Sequence, residues 1–256
     1  MRIIYFANNR LGAETLDFLR EVGDSPVGLV IHPPDRRKCG DRILEAANLP
    51  SDCVFAADRL KDPKTQSRMS ELEPDLILSV LFGYLIPTQI LKLPKVRSLN
   101  LHPSYLPYNR GTFPNVWSLV DGTPAGVTLH EMDKTLDTGA IVAQTQVDVR
   151  PTDTGRDLYV RLEKTGLELL RKSWPRIRSG DWSQSPQSGD EGSYHRTKDV
   201  DRIDKIDLDA SYTGREIIDI IRARTFPPYD GAYFEVDGKR VYMRLELYES
   251  AEEETD

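Results

Sequence analysis

The sequence is poor in the residues that would advertise a metal, a compartment or a covalent intermediate. Its two cysteines, Cys39 and Cys53, have neither CxxC spacing nor histidines at zinc-site intervals. That excludes a zinc motif and, at this chain length, argues against a disulfide framework. His32, His130 and His195 have no metal-ligand spacing between them, so no metal is expected and the three are assigned structural or peripheral roles. No apolar run approaches the ~20 residues of a membrane span. Basic residues are also in deficit, 34 Lys and Arg against 41 Asp and Glu for a net charge of -7, which argues against a general nucleic-acid surface. A Gly-x-Ser-x-Gly elbow is missing and neither cysteine lies in a nucleophile motif, which favours direct transfer over a covalent acyl-enzyme. The opening Met1-Arg2-Ile3-Ile4-Tyr5-Phe6 lacks the basic region, long apolar core and cleavage site of a signal peptide. It reads as a first strand, and a cytoplasmic location is expected.

What is present alternates between strand and helix periodicities over 256 residues. Arg2 to Ala7 reads as a strand, Ala13 to Val22 as a helix and Val27 to Ile31 as a second strand, a parallel crossover unit. Helices follow at Arg42 to Ala47 and Gln66 to Leu72. Asp75 to Leu81 is an apolar strand of the kind buried on both faces. A short helix at Ile86 to Leu91, a strand at Val96 to Leu101, a helix from Pro114 to Leu119 and strands at Gly126 to Met132 and Ala140 to Val149 continue the series. Thr152-Asp153 is expected to cap a long amphipathic helix. The fold class expected is therefore α/β, a Rossmann-like, mostly parallel sheet in residues 1–178. A linker at 179–193 and a small C-terminal α+β region at 194–256 complete it. That region combines a helix at Thr213 to Arg224 with a β-hairpin turning at Asp237-Gly238, and it ends in an acidic tail from Glu249.

The chemistry concentrates between Ser98 and Asp137. Asn100 and His102 are two apart at the end of an apolar run, so on a strand they leave the same face. Pro103 and Pro107 then take the chain out of the sheet, at the carboxyl edge where open α/β sheets bind ligands. An imidazole that accepts a proton, an amide that donates to an oxyanion and a carboxylate such as Asp137 that orients the imidazole would serve acyl transfer to an amine. By spacing alone the plainer readings lead: a hydrogen-bonded structural histidine, and an ordinary Asp137-Thr138-Gly139 turn.

Ser98 to Gly111, with Gly126-Val127-Thr128-Leu129-His130 and Asp137-Thr138-Gly139-Ala140-Ile141-Val142, closely resembles the formyltransferase superfamily that uses N10-formyltetrahydrofolate. The family motif, Asn-x-His with a downstream Asp, implies catalytic roles for Asn100, His102 and Asp137. Tyr105-Leu106-Pro107-Tyr108-Asn109-Arg110-Gly111, Pro114-Asn115-x-Trp117, Tyr194 to Asp199 and Arg222 to Tyr233 resemble the branch that formylates nucleotide-linked 4-amino-4-deoxysugars, dTDP-linked ones above all. The resemblance implies a folate pocket of Phe82, Gly83, Tyr84, Leu85 and Asp133. It implies substrate contacts from Asn9, Arg10, Tyr105, Asn109, Arg110, Trp117, Arg222, Arg224, Phe226 and Tyr229. Partners implied are the folate and the nucleotide sugar, with neither nucleic acid nor membrane, and a homodimer whose seam the C-terminal hairpin covers, with a monomer left open. Plainer alternatives accompany these roles: Phe82, Tyr84 and Trp117 as packing aromatics, Arg10 as a solvated cation, and the Phe226-Pro227-Pro228-Tyr229 turn packing its own hairpin. Three rival activities share the motif: a Met-tRNA formyltransferase, a formyl-folate hydrolase and a catalytically silent nucleotide-sugar binder.

Overall fold

The computed structural model describes residues 1–187 and 192–250, so residues 188–191 of the expected linker and residues 251–256 of the acidic tail lie outside the described residues. Elements run β1 (Ile3–Ala7), α1 (Asn9–Glu21), β2 (Gly28–Ile31), α2 (Gly40–Ala47), β3 (Val54–Ala56), α3 (Pro63–Glu71), β4 (Leu76–Val80), α4 (Thr88–Leu91) and β5 (Arg97–His102). They continue with β6 (Arg110–Gly111), α5 (Pro114–Val120), β7 (Ala125–Glu131), β8 (Ile141–Val147), α6 (Gly155–Ser179), β9 (Tyr194–His195), α7 (Asp201–Asp204), α8 (Gly214–Arg224), β10 (Tyr233–Val236) and β11 (Lys239–Tyr242). The main sheet has the order β3-β2-β1-β4-β5-β7-β8. Its first five strands pair in parallel, and β7 then reverses against β5 and β8 against β7. Among the described residues no helix is long and apolar enough to cross a membrane.

Residue parity decides which side chains meet which layer. Leu99 and Leu101 of β5 join Leu78, Val80, Leu16, Leu162 and Leu170 in the larger core, beneath α1, α2, α5 and α6. Ile77 of β4 joins Ile4, Phe6, Met69 and Ile90 in a smaller core beneath α3 and α4. Asn100 and His102 alternate with Leu99 and Leu101, so they leave the sheet on the side of the smaller core. β5 thus carries one apolar face and one face available for chemistry.

Helix α6 begins in a capping box at Thr154 and Asp157 and ends at Gly180, whose φ is +73°. The expected cap at Thr152-Asp153 falls two residues short, because Asp153 is occupied with the Arg150 N–H and the Arg161 guanidinium. The C-terminal end of α6 is fastened to the start of the chain. Asp24, buried, accepts from the Met1 ammonium at 3.0 Å and from Trp174 Nε1 at 2.9 Å.

Three short strands, β3, β6 and β9, have too few residues to leave a periodic trace, and the sequence alone did not reveal them. α1 starts at Asn9 rather than Ala13, which moves Asn9 and Arg10 from the expected loop into the first helical turn. β6 pairs with β9 in parallel, joining the segment after His102 to the C-terminal region. Gly111 makes that pairing feasible: its φ is +95°, and a β-carbon there would meet the His195 carbonyl oxygen at 2.2 Å.

Candidate active site

Register carries Ser79, Asn100 and His130 into one row across the sheet, with His102 opposite Thr128 one step further on. His130 Nδ1 lies 2.7 Å from the Glu131 carbonyl oxygen, so that nitrogen holds the hydrogen and the lone pair is on Nε2. Asn100 Nδ2 donates to this Nε2 at 3.2 Å. The orientation of the Asn100 amide follows, with one N–H committed to His130 and the second left for a bound group.

Asp137 closes the cluster from the loop between β7 and β8. Its backbone is left-handed at φ +55°, a conformation that costs a non-glycine residue and that aspartate tolerates better than most. Oδ2 accepts the Gly111 N–H at 2.9 Å and lies 3.8 Å from His102 Nε2, while Oδ1 lies 3.6 Å from His130 Nε2. Burial works to raise the Asp137 pKa. The attraction it gains toward the neighbouring His102 and His130, together with the Gly111 N–H, outweighs it and holds the carboxyl well below the usual carboxylate range. For His102 burial wins: it pushes the imidazole pKa down from 6.5 despite the opposing pull of Asp137, with His130 adding to the decrease. An ionised carboxylate thus faces a neutral imidazole, whose Nε2 also lies 3.4 Å from the Asn109 carbonyl oxygen.

A cleft of 80 Å³ opens beside this cluster. Asn100, His130, Asp137 and Ser79 supply its polar side, and Phe82, Tyr84, Leu85 and Met132 its apolar side, with Asp133 at the rim. His102 is not among its walls; it sits behind, 7% exposed at the side chain. Phe82 packs edge-on to Phe6 at 5.1 Å, and both Phe82 and Tyr84 meet the ring of His32 edge-on at 5.1 and 4.9 Å. Gly83 donates its N–H toward His32 Nε2 at 3.3 Å. Asp133 accepts from the Thr135 backbone N–H at 2.7 Å, which folds the rim back on itself.

A larger cavity of 620 Å³ lies on the opposite side of the sheet edge. Asn9 and Arg10 of α1, Asn115 of α5, Tyr159 and Glu163 of α6, and Arg224, Phe226 and Tyr229 of the C-terminal region line it, with Lys38 and Phe113 at its mouth. Lys38 Nζ reaches the Tyr229 hydroxyl at 3.1 Å and sits 5.2 Å from the ring centre, a cation against an aromatic face. Arg10 pairs with the buried Glu163 at 2.9 Å, so it is tethered and not a freely solvated cation. Arg224 pairs with both carboxylate oxygens of Asp204 through Nε and Nη2. The chain from 109 to 115 links the two sites: the Asn109 carbonyl faces His102, the Gly111 N–H holds Asp137, and Phe113 and Asn115 line the cavity.

Five of the expected substrate contacts have other partners here. Asn109 is wholly buried, its amide donating to Ser118 and Thr123 and accepting from Ser193. Trp117 is 5% exposed and stacks on His195 at 4.0 Å and 7°. Arg222 pairs with Asp219 and donates to the carbonyls of Arg150 and Pro151, which anchors α8 to the loop before α6. Arg110 donates twice to Gln187. Tyr105 packs where Gly126 leaves room on β7, lining neither cavity. Conversely His130 and His32, expected to be peripheral, stand in or directly behind the cleft. Alternation along β7 could have put His130 on the same face as Thr128, but only cross-strand register brings it to Asn100. Among the described residues no group of three or more His, Cys, Asp or Glu is arranged to hold a metal ion.

Comparison with known proteins bears on the family and the fold. A family model described as formyl transferase matches residues 1–173, and one described as an N-formyltransferase dimerization C-terminal domain matches residues 199–249. A dTDP-4-amino-4,6-dideoxyglucose formyltransferase from Mycobacterium bovis is 34% identical over 175 residues, covering 68% of this chain and 73% of the relative. A methionyl-tRNA formyltransferase from Alkaliphilus oremlandii is 30% identical over 265 aligned residues, covering 97% of this chain and 83% of the relative. Among solved structures, a 4-N formyltransferase from Francisella tularensis superimposes with a TM-score of 0.82 at 28% identity, covering 97% of this chain and 99% of that one.

Proposed function

Since this chain belongs to the formyl transferase family, we propose that its N-formyltransferase activity moves the formyl group of N10-formyltetrahydrofolate to the amine of a nucleotide-linked 4-amino-4-deoxysugar, with dTDP as the expected carrier. The observation that carries the sugar nucleotide is the pair of cavities joined by residues 109–115. One is small and bordered by Asn100 and Asp137, and the other is large and lined by aromatic rings and by charged groups of both signs, with Lys38 against Tyr229.

In this reading the neutral amine attacks the formyl carbon, and the neutral His102 takes the proton that the new C–N bond releases. The second N–H of Asn100 donates to the oxyanion of the tetrahedral intermediate. Asp137, ionised, stabilises the imidazolium until the proton passes to the departing N10 nitrogen. The apolar wall of Phe82, Tyr84, Leu85 and Met132 suits a flat pterin, and Ser79 and Asp133 suit its polar edge. The cleft, at 80 Å³, is below the roughly 300 Å³ at which ligand pockets begin.

Across the sheet edge, Phe226 and Tyr229 offer faces to a base, while Lys38 and the first turn of α1 offer charge and N–H groups to a diphosphate. A tRNA acceptor is disfavoured by the net charge of -7. The C-terminal region is assigned to a homodimer seam: β10 and β11 form a two-stranded sheet with Val236, Val241 and Tyr242 exposed.

The assay mixes the protein with N10-formyltetrahydrofolate and, in separate arms, dTDP-aminosugars, Met-tRNA or no amine. Tetrahydrofolate release that needs the aminosugar supports the reading. Release with Met-tRNA, or with no amine, replaces it with the tRNA transferase or the hydrolase.

A further inference from the structure

Gln187 lies in the stretch between α6 and β9, 50 residues from Asp137 along the chain. Its amide Nε2 donates to the carbonyl oxygens of Asp137 and Gly139, both at 2.8 Å. Its Oε1 accepts from Arg110 Nε at 3.1 Å and Nη2 at 2.7 Å. A guanidinium only donates and a peptide carbonyl only accepts, so this amide fits one way round, with both hydrogens and its oxygen in use. The next residue after Arg110 is Gly111, whose N–H holds the Asp137 carboxylate at 2.9 Å.

Asp137 is therefore gripped twice, at its main chain by Gln187 and at its side chain by Gly111, and Arg110 ties the two grips together. A left-handed aspartate at φ +55° needs such support, because the surrounding structure must over-determine an unfavourable backbone conformation. The other flank of the loop is fixed by packing: a β-carbon on Gly139 would meet the Glu131 carbonyl oxygen at 1.9 Å. Ser185 anchors the Gln187 stretch through two backbone hydrogen bonds with Ile141, at 2.8 and 2.9 Å.

We infer that Gln187 is a positioning residue for the transfer reaction, bridging Arg110 to the Asp137–Gly139 main chain and so holding the Asp137 carboxylate between His102 and His130. The inference rests on the proposed role of Asp137 in formyl transfer. Gln187 touches no reacting atom in this scheme and acts through the loop.

The test uses Gln187→Met, which keeps length and flexibility without the amide, and Gln187→Glu, which keeps an acceptor for Arg110 while turning a carboxylate toward two carbonyls. In both, kcat for aminosugar-dependent tetrahydrofolate release is expected to fall about ten- to a hundredfold, the scale of roughly 1 Å misplacement, with KM for either substrate nearly unchanged. The second readout is independent of turnover: titration of the His102 imidazole, followed by NMR. The groups facing that ring are Asp137, His130 and the Asn109 carbonyl. A receding carboxylate stabilises the imidazolium less, so the titration is expected to move to lower pH in Gln187→Met, which introduces no new charge. A residue that only stabilises the fold would lower Tm and leave that titration in place. A His102 titration unmoved in folded Gln187→Met overturns the inference, whatever the loss of rate. If the wild-type protein turns over no aminosugar, the functional reading fails, and the titration still decides the role of Gln187.

Discussion

His130 shows how a single proton position organises the residues around it. With its hydrogen fixed on Nδ1 by the Glu131 carbonyl, its Nε2 must accept, and Asn100 must turn its amide nitrogen inward. Asn100→Ala removes the proposed oxyanion donor, and kcat is expected to fall on the order of 10²-fold with little change in KM, measured by aminosugar-dependent release of tetrahydrofolate. The pH dependence follows from His102. Burial lowers its pKa from 6.5, so the base form persists below that value. kcat/KM should rise with pH through the lowered pKa and level off above it. Asp137→Asn withdraws the charge that pulls the other way, so the acidic limb should move lower still while kcat drops, read from a pH–rate profile of both proteins. The same depression has a stability sign. The unfolded chain binds the His102 proton more readily, so stability is lost as pH falls through the ordinary imidazole value toward the lowered one.

At the scale of elements, β6 and β9 are two residues each, yet they tie the C-terminal region to the segment that holds Asp137. Gly111→Ala puts a β-carbon against the His195 carbonyl and forbids the +95° backbone. The expected cost is about 1–3 kcal/mol of stability in urea denaturation, together with lost hydrogen-exchange protection at the 110 and 112 amides, which donate to Ser193 and His195. The long elements are legible in the sequence because burial imposes a pattern on them: β4 is an almost wholly apolar run, and α6 repeats leucines on one face. β3, β6 and β9 are not, because their pairing depends on distant partners. Asn109 and Trp117 sit in a motif-rich stretch whose family resemblance implies substrate contact. Their packing against Ser118, Thr123 and His195 depends on how α5 folds back, which no local pattern encodes.

For the whole molecule, the exposed apolar side of β10 and β11 is the surface to test. Val241→Asp is expected to convert a dimer into a monomer in light scattering, and wild-type Tm should rise with protein concentration as mass action requires of a coupled assembly. A concentration-independent monomer in the wild type would remove the proposed seam.

The sequence by itself determined the alternation of strands and helices, the shared face of Asn100 and His102, and the family motif that includes Asp137. Each of these is either local along the chain, where periodicity and turn chemistry act over a few residues, or written directly in residue identities. Only the tertiary structure decided that His130 stands beside Asn100, that Gln187 grips the Asp137 loop, and that Arg222 and Asn109 bond to distant parts of the chain. Those outcomes depend on register between strands and on hydrogen bonds closed across 30 to 84 residues of chain, where the partner is chosen by packing of the whole sheet and its helices rather than by neighbours in sequence.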